Sequence, residues 1–528
     1  MNRYFNINGV CDPAKHYMVD LSDRLHQVKS LVDRGDYFVI NRARQYGKTT
    51  TLSQLTHSLS EDYTVFFISF EGCGNAMFED EATFCKSFCG LLYDTIAYEE
   101  VFGIPDEVKQ RIEEIAHGKA GEMDLRQLSN FVSMLCRGNE KPVVLMIDEV
   151  DQASNQELFL DFLGMLRDKF LKRSSRPAFQ SVILAGVYDI KNLKLKIRDN
   201  TEHQYNSPWN IAVPFRVKMS FSVQDIAGML ISYEADHQTG MDNSTVAELL
   251  YEYTSGYPFL VSALCKKMDE EQISWSEDGV RCAVRDLLKE NNTLFDDVIK
   301  NIRNNQEFSD LVEQILVEDA QVTYEIRNPL IDLGVMYGIL KEKDGKTVVS
   351  NMIFETLIFN YFISVRSTYA LTSAKYTSRE IYVQDGKLNM ELVLKRFAGF
   401  MKAEYRQEDG EFIERQGRLL FLSFLRPIIN GTGHYAVEPQ TRKNMRMDVQ
   451  VFYGTEEFIV ELKIWHGMKY EEKAYDQLVD YLEVRGVEKG YLLSFCSNQS
   501  VPYEFREFEH RGHEVCEVIV GYGSYSNF

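Results

Sequence analysis

Residues 36–52 read DYFVINRARQYGKTTTL, and this stretch decides the fold. An apolar run at 37–40 changes abruptly into a polar loop that ends in GKTT at 47–50, and helix-forming apolar spacing follows. This order predicts a strand, a phosphate-binding loop and a helix. In such a loop the glycine lets backbone N–H groups turn toward phosphate oxygens, the lysine neutralises them and the hydroxyl binds Mg²⁺. The stretch therefore predicts a nucleotide site, although Arg42 stands where the pattern has its first glycine.

A second motif supports the first one from about a hundred residues further along. Residues 142–151 read PVVLMIDEVD, a buried strand that ends in carboxylates. We assign Asp148 to the Mg²⁺ shell and Glu149 to the base that activates water. Asp151 has an ordinary alternative role, because acids often cap the helix after a strand. Together with the apolar run YTVFFISF at 63–70, the pattern predicts an α/β fold with a parallel sheet.

Composition limits the class of protein. The chain has 528 residues, so several domains are expected, and its 45% hydrophobic and 26% charged residues are ordinary for a globular protein. No apolar run reaches the length of a membrane helix, so we expect a cytoplasmic protein without membrane contact. The net charge of −21 disfavours nucleic-acid binding over the whole surface and requires a local basic groove for it. Nine scattered cysteines predict neither a zinc site nor a disulfide framework.

Other features of an ATPase site are less specific. The strand at 181–187 ends in Tyr188 and Asp189, neither of which is a typical sensor of the γ-phosphate. Arg198 and Arg216 are candidates for an arginine that stabilises a neighbouring subunit's phosphate, although most arginines are solvated surface residues. These features leave the sensor and the arginine finger open.

The motifs resemble those of bacterial AAA-ATPase-like proteins whose phosphate loop lacks the first glycine and reads R-x-R-x-[FY]-G-K-[ST]. The segments VVLMIDEVD and SPWNIA resemble the same family, which often has proline at the position of Ala43. The resemblance implies ATP as the ligand and a bacterial setting, with defence against phages as one role, and such proteins are often fused to a C-terminal nuclease-like domain. It places the nucleotide on Arg44, Gln45, Tyr46, Gly47, Lys48, Thr49, Thr50 and Asp148, with Thr49 and Asp148 on the metal. The GYP element at 256–258 resembles the start of a lid helix in switch-type ATPases, where Pro258 would lie near the base, or it is only a helix N-terminus, where proline is favoured.

The middle of the chain changes pattern twice. Helices are predicted at 222–234, 246–253 and 255–264. From Phe308 the order becomes helix 308–317, helix 323–333, strand 335–341, a KDGK turn, strand 347–350 and helix 354–362, which is typical of a winged helix. Since no arginine-rich recognition helix is present, we favour a lever on the nucleotide domain over a DNA-reading wing. The polar segment 364–384 predicts a linker.

The C-terminal part carries a second chemistry. Strands are predicted at 435–438, 447–453 and 457–462, after helices at 388–406 and 411–425. Asp448 opens one strand, Glu461 lies near the end of the next and Lys463 follows two residues later on the same face. Two carboxylates and a lysine can hold Mg²⁺, or Mn²⁺, and activate water beside a phosphate. An isolated E-x-K is usually only an exposed strand edge.

This D-x12-E-x-K arrangement resembles the PD-(D/E)XK nuclease superfamily. Glu414 on the preceding helix, Gln477 on the following helix and Tyr481 match positions that recur there. Glu404, Glu411 and Glu438 remain rivals of Glu414. The basic residues Arg442, Lys443 and Arg446 supply a local patch for nucleic acid or form a solvated loop.

The sequence therefore predicts an ATP-regulated, Mg²⁺-dependent nuclease that acts on DNA, or less favoured RNA. Glu149, Asp448, Glu461, Lys463, Gln477 and Glu414 are the predicted catalytic residues, and Asp448 and Glu461 are the predicted ligands of the second metal. A switch or scaffold ATPase that binds without cleaving is the alternative, and a DNA-translocating ring is a third interpretation; homo-oligomerisation is left open. The predicted fold is an α/β P-loop sheet with a helical lid and winged helix, followed by an α/β restriction-endonuclease-like domain. The predicted domains are 1–220 (ATPase core), 221–303 (lid), 304–366 (winged helix), 367–384 (linker) and 385–528 (nuclease-like).

Overall fold

The computed structural model consists of two compact units. The first contains Met1–Leu294, Glu325–Lys341 and Ser350–Met352, and the second contains Phe295–Tyr324, Glu342–Val349 and Ile353–Phe528. The chain thus passes repeatedly from one unit to the other between residues 294 and 353. The structure describes residues 3–99, 101, 103–153, 156–187, 209–316, 321–370, 381–384, 386–404, 414–429, 433–437, 449–465, 468–496 and 505–521.

A four-stranded parallel sheet forms the centre of the first unit. Its strands lie in the order β1, β4, β3, β2. All residues of β3 and β4 are buried, because helices cover both faces of the sheet. The α/β fold and the parallel sheet predicted from the apolar runs are therefore confirmed. The strand bounds are β1 Phe38–Asn41, β2 Thr64–Ser69, β3 Val143–Asp148 and β4 Ser181–Gly186.

Alternate residues of these strands enter two separate cores. Phe38 and Met146 pack on one face with the helices before and after β1, whereas Tyr37 and Leu145 pack on the other with the helices between β2 and β4. Residues 188–208 lie outside the described residues, and Val213 forms a parallel bridge to Phe38. The helices are α1 Ser22–Asp33, α2 Lys48–Leu59, α3 Glu81–Tyr98, α4 Asp106–Ala116, α5 Leu125–Gly138 and α6 Glu157–Leu171, with short 3₁₀ turns at Asn75–Phe78 and Val150–Ala153.

Helices follow the sheet along the chain, at the positions that the apolar spacing predicts. Capping side chains fix where they begin: Ser222 forms a capping box with Asp225, and Asp242 accepts from the next helix's first N–H groups. The helices are α7 Val223–His237, α8 Asn243–Thr254, α9 Pro258–Glu270, α10 Glu277–Leu287, α11 Thr293–Arg303 and α12 Gln306–Leu316.

The segment with winged-helix order differs from its prediction at three points, one of which is that its last helix continues to Ala370, into the segment predicted as a linker. The helix predicted to begin at 323 begins at Pro329, because Asn328 caps it and proline is preorganised for the first helical position. The strand predicted from 335 begins only at Leu340, since the helix continues to Met336 and Gly338 then takes a φ of 70°. The elements are α13 Pro329–Met336, β5 Leu340–Lys343, β6 Lys346–Val349 and α14 Met352–Ala370.

A six-stranded mixed sheet forms the centre of the second unit. Its order is β13, β14, β12, β11, β10, β9, with parallel pairing among β11, β12 and β14 and antiparallel pairing elsewhere. The strands predicted at 435–438, 447–453 and 457–462 correspond to β9, β10 and β11. The bounds are β7 Val383–Gln384, β8 Lys387–Leu388, α15 Met390–Glu404, α16 Glu414–Ile429, β9 Gly433–Val437, β10 Val449–Tyr453, β11 Glu456–Ile464, α17 Met468–Arg485, β12 Lys489–Cys496, β13 Phe505–His510 and β14 His513–Gly521.

Helices pack on both faces of this sheet. Leu478 and Leu482 of α17 pack with Ile459 and Leu492 on one face. On the other face α16 approaches so closely that a Cβ at Gly417 would lie 2.3 Å from the Phe495 ring. Among the helices that the structure describes, none is both long and apolar enough to cross a bilayer.

Candidate functional site

The loop between β1 and α2 ends in a backbone arrangement suited to an anion. Gly47 is the N-cap of α2 and takes a left-handed conformation with φ 78°. No side chain caps this helix end, so its first N–H groups remain available to a ligand. Helix N-termini attract anions through these groups and through the helix dipole. The loop geometry therefore fits a phosphate group.

Lys48 lies within this loop and points at the loop's own backbone. Its side chain is 6% exposed, and Nζ donates to the carbonyl oxygens of Arg42 at 3.0 Å and Ala43 at 3.2 Å. Burial lowers the pKa of Lys48, against the opposite effect of Glu149 and its neighbouring aspartates. Because neutral carbonyls only partly replace water around an ammonium group, an anionic ligand would stabilise this lysine further.

Arg42, which stands at the position of the missing first glycine, is anchored to the protein's backbone. Its guanidinium donates to the carbonyl of Val217 at 3.1 Å and lies 5.3 Å from the centre of the Phe215 ring. Its backbone N–H also donates to Gly186 at the end of β4. The arginine thus fixes the start of the loop to the neighbouring chain segments, a role that glycine could not perform.

The predicted metal residues of the first unit are brought together. The Thr49 hydroxyl donates to Asp148 Oδ2 at 2.7 Å, and the backbone N–H of Glu149 donates to Asp148 Oδ1 at 2.9 Å. Asp148 is buried, and both of its oxygens are oriented by these donors. A hydroxyl beside a carboxylate is a donor set that Mg²⁺ accepts, directly or through water.

Glu149 occupies a strained position next to this pair. Its φ is 52°, an uncommon value for a residue with a side chain, and such strain is concentrated at functional sites. Burial raises the pKa of its carboxyl, while Lys48 acts in the opposite direction. A carboxyl with a raised pKa is better matched to accepting a proton near neutral pH than an ordinary glutamate.

Asp151 does not cap the helix that follows β3. Its Oδ2 accepts from the backbone N–H of Val187 at 2.6 Å, while α6 begins after Gln156. A Cβ at Gly186 would lie 2.8 Å from Asp151 Oδ1, so a side chain at the end of β4 would displace this carboxylate. Asp151 therefore joins the ends of β3 and β4 beside the loop.

The start of α9 contacts the phosphate loop. The Tyr257 hydroxyl donates to the Arg44 carbonyl at 2.6 Å, and its ring meets the Tyr46 ring edge-on at 4.7 Å. Pro258 is the first residue of α9 and is buried. Gly256, with φ 72°, allows a close approach to Phe221, whose carbonyl oxygen would lie 1.9 Å from an added Cβ.

The remaining predicted nucleotide residues have different surroundings. Gln45 Nε2 donates to Thr293 Oγ1 at 3.0 Å, and the Thr50 hydroxyl accepts from the backbone N–H of Cys11 at 3.2 Å. Arg216, a candidate finger, is exposed. The candidates Tyr188, Asp189 and Arg198 lie outside the described residues.

In the second unit, the structure brings Glu461 and Lys463 together. Glu461 is fully buried in β11, and Lys463 Nζ lies 2.9 Å from its Oε1. Val449, which follows Asp448 in the sequence, pairs with Val460 across the β10–β11 hairpin. Asp448 itself lies outside the described residues.

The other predicted residues of this site are less closely defined. Gln477 Nε2 donates to the Tyr481 hydroxyl at 2.7 Å, within α17. Glu414 is the first residue of α16, and Glu404 is the last residue of α15. The rivals Glu411 and Glu438 and the basic residues Arg442, Lys443 and Arg446 lie outside the described residues.

Sequence reasoning missed a buried polar group beside this pair. Glu517 in β14 is fully buried and accepts from Ser494 at 3.1 Å and from Tyr475 at 2.8 Å. The signal was visible, because Glu517 is the one charged residue in the apolar run VCEVIV at 515–520.

One family model matches about two thirds of the chain, including the phosphate loop. The family model described as an AAA-like domain matches residues 13–362. The fold is similar to the Walker-type ATPase PABY2304 of Pyrococcus abyssi, with a TM-score of 0.47 and 11% identity over 67% of this chain and 99% of the other.

A second solved structure, the ORC1 protein of Aeropyrum pernix in complex with DNA, matches with a TM-score of 0.28 and 11% identity over 66% of this chain and 94% of the other. No protein of curated function matches the sequence significantly. Because the family model covers more than half of the sequence and includes the phosphate loop and the β3 carboxylates, the chain belongs to the AAA-like domain family of P-loop ATPases.

Proposed function

We propose that this protein is an ATP-hydrolysing, Mg²⁺-dependent nuclease, with DNA as its favoured substrate, in which the ATPase module regulates cleavage of the phosphodiester bond. The observation that carries the proposal is the ion pair between fully buried Glu461 and Lys463, two residues apart on β11. A carboxylate is not kept in a sheet's core without a strong reason, since its burial costs several kcal/mol. Binding of the metal in a phosphodiesterase site would be such a reason.

In the first module, each residue has a role that follows from its contacts. Lys48 and the uncapped N-terminus of α2 would bind the phosphates, and Thr49 with Asp148 would hold Mg²⁺. Bound Mg²⁺ supplies charge neutralisation at the phosphates. Glu149 would orient the attacking water and accept its proton.

In the second module, Glu461 and Asp448 would hold the metal, and Lys463 would orient water and neutralise charge at the scissile phosphate. The Glu461 contact keeps Lys463 at a defined position before substrate arrives. Gln477 on α17 and Glu414 on α16 would complete the site. The domain boundaries predicted at residues 220, 303, 366 and 384 are part of this proposal.

Regulation by ATP is supported by a contact within the first unit. Gly338 packs against the phosphate loop so closely that an added Cβ would lie 2.7 Å from Ala43 Cβ. Ala43 is also a residue whose carbonyl holds Lys48. A phosphate that draws Lys48 away would therefore change the loop where Gly338 contacts it. Four residues after Gly338 the chain enters the second unit at Glu342, so this segment is a covalent route for the signal.

A cleavage assay with two lysine variants tests the nuclease. Lys463→Ala should abolish Mg²⁺-dependent cutting of linear, plasmid and single-stranded DNA. Lys489→Ala is the matched control, because Lys489 lies in the neighbouring strand β12, is ion-paired with Glu391 and has 27% side-chain exposure against 29% for Lys463. If wild-type protein with Mg²⁺ and ATP cuts neither DNA nor RNA, or if both variants lose cutting equally, the nuclease assignment is wrong and the non-cleaving ATPase becomes the better description.

Two glycine variants test whether ATP regulates cleavage through the Gly338 contact. Gly338→Ala should reduce the effect of ATP on the cleavage rate by about fivefold, within the usual range of coupling energies. Gly240→Ala is the control, because Gly240 has a similar φ of 78° with open space around it. Adding Ala43→Gly to Gly338→Ala should restore most of the ATP effect. An unchanged ATP effect in Gly338→Ala would show that this contact carries no signal.

A further inference from the structure

The carboxylate of Glu517 is buried in the sheet, away from solvent. It lies in the middle of β14, between apolar residues, and its exposure is 0%. A valine or leucine at this position would avoid the cost of burying a charged or polar group. The hydrogen bonds that Glu517 accepts must therefore offset this cost, and they indicate a role for the carboxylate.

Those hydrogen bonds link three elements of the second unit. Oε1 accepts from the Ser494 hydroxyl in β12 at 3.1 Å, and Oε2 accepts from the Tyr475 hydroxyl in α17 at 2.8 Å. Each carboxylate oxygen thus has its own donor. Because Ser494 is buried as well, water competes little with this bond.

The strand register places these residues beside the candidate nuclease site. Lys463 of β11 is directly opposite Ser494 of β12, one strand spacing of about 4.8 Å away. In the adjacent row, Glu461 is opposite Leu492, and Leu492 is opposite Glu517. Glu461 and Glu517 therefore lie on the same face, about 10 Å apart.

Helix α17 covers this face and carries another predicted residue of the site. Ala474, Leu478 and Leu482 of α17 pack on the sheet there. Tyr475, which binds Glu517, precedes Gln477 by two residues on the same helix. The position of Gln477 along the sheet thus depends on where Tyr475 is held.

We propose that Glu517 is a positioning residue of the nuclease site, which holds Ser494 beside Lys463 and fixes α17, with Gln477, onto the sheet. This inference rests on the proposed nuclease function and deepens it. Glu517 acts through its two hydroxyl partners and does not touch the reacting atoms. Small displacements of positioned groups are costly in catalysis, so loss of this support should reduce turnover strongly.

The test compares three variants of the full-length protein. Glu517→Leu removes both hydrogen bonds at similar volume, and Glu517→Gln retains the size and the hydrogen-bonding capacity. Val518→Ala is the matched control, because Val518 is the next residue of β14, is equally buried and faces the opposite side of the sheet. The readouts are the kcat and KM of cleavage, the thermal midpoint and the amide exchange of α17.

Glu517→Leu should lower kcat about tenfold or more with little change in KM, and it should increase amide exchange in 473–481. Glu517→Gln should keep most of the wild-type kcat and most of the wild-type protection of α17 from amide exchange. Val518→Ala should lower the thermal midpoint without either effect. The proposal is overturned if Glu517→Leu leaves exchange of α17 unchanged, or if Val518→Ala reproduces its loss of kcat at the same thermal midpoint.

The exchange measurement also separates this inference from the function on which it rests. If wild-type protein cuts no nucleic acid, the nuclease assignment fails, whereas increased exchange of α17 in Glu517→Leu would still show that Glu517 anchors the helix. If Lys463→Ala abolishes cutting and Glu517→Leu cuts like wild type, the nuclease stands and the positioning role fails.

Discussion

The two candidate sites each contain a lysine, and the two lysines are held in opposite ways. Lys48 is 6% exposed and donates to two neutral backbone carbonyls of its own loop. Lys463 is 29% exposed at its side chain and is paired with the carboxylate of Glu461. The two backbone partners of Lys48 are therefore neutral, while Lys463 is held by a carboxylate of its own strand. The first arrangement suits a sensor of anions, and the second suits a preorganised catalytic group.

Removal of either lysine gives the largest expected effects. Lys463→Ala should lower cleavage about 10³-fold, since it removes a cation aimed at developing charge, and should leave ATP affinity unchanged. Lys48→Ala should weaken ATP binding about 100-fold, because the loop loses the cation that would pair with the phosphates, and hydrogen bonds to charged groups contribute about 1.5–3 kcal/mol each. Calorimetry and a cleavage assay measure the two properties.

Lys169→Ala serves as the control for Lys48→Ala, because Lys169 is equally buried, its pKa is also lowered by burial, and it contacts Ser133 in a different part of the fold. The comparison breaks down if Lys463→Ala weakens ATP binding as much as Lys48→Ala does.

Glu149→Gln should separate binding from hydrolysis in the first site. The variant keeps the size of the side chain but cannot accept a proton, so we expect ATP hydrolysis to fall about 100-fold at unchanged affinity. Glu252→Gln is the control, since Glu252 lies in α8, outside the site. Steady-state phosphate release measures both variants, and an active Glu149→Gln would exclude this residue as the base.

Two glycines should show that the two units differ in how far they tolerate overpacking. Gly256→Ala places a Cβ 1.9 Å from the backbone carbonyl of Phe221 at a φ of 72°, and we expect a loss of about 3 kcal/mol of unfolding free energy. Gly417→Ala meets the Phe495 side chain and no backbone atom, so a smaller loss of about 1 kcal/mol is expected. Denaturant melts compare them, and a larger loss in Gly417→Ala would contradict the reasoning.

The smallest expected effect is a shift in the pH dependence of ATP hydrolysis. A general base works only when deprotonated, and burial raises the pKa of Glu149 above its ordinary value of 4.5. Hydrolysis should therefore decline as the pH falls through this raised pKa, at a higher pH than an unperturbed glutamate would give. A pH–rate profile measures this decline at acidic pH. If the decline persists in Glu149→Gln, another group is responsible for it.

Local sequence order was sufficient to predict most elements of the fold. Apolar runs that end in polar residues identified β1 to β4, because parallel strands buried on both faces must be continuously apolar. Predictions failed where a helix boundary depends on a single turn, as at Pro329 and Gly338, since apolar spacing alone extends through such positions.

The sequence predicted the residues of the first candidate site more completely than those of the second. The residue types and spacing of Lys48, Thr49 and Asp148 were sufficient to group them, because a phosphate loop and a β3 carboxylate meet at the same edge of a parallel sheet. Glu517 was missed because its partners Ser494 and Tyr475 are remote in sequence and carry ordinary hydroxyls. Strand pairing brings Ser494 to Glu517, and the packing of α17 on the sheet brings Tyr475 there.

The sequence by itself determined the class of the first unit and the identity of the groups that could do chemistry, because phosphate and metal binding require particular side chains at fixed local spacing. Only the tertiary structure decided what holds those groups: Arg42 on the Val217 carbonyl, Asp151 on the Val187 N–H, and Glu517 between two hydroxyls. These contacts join residues far apart in the chain, and their formation depends on the register of strands and the packing of helices, which no local pattern records.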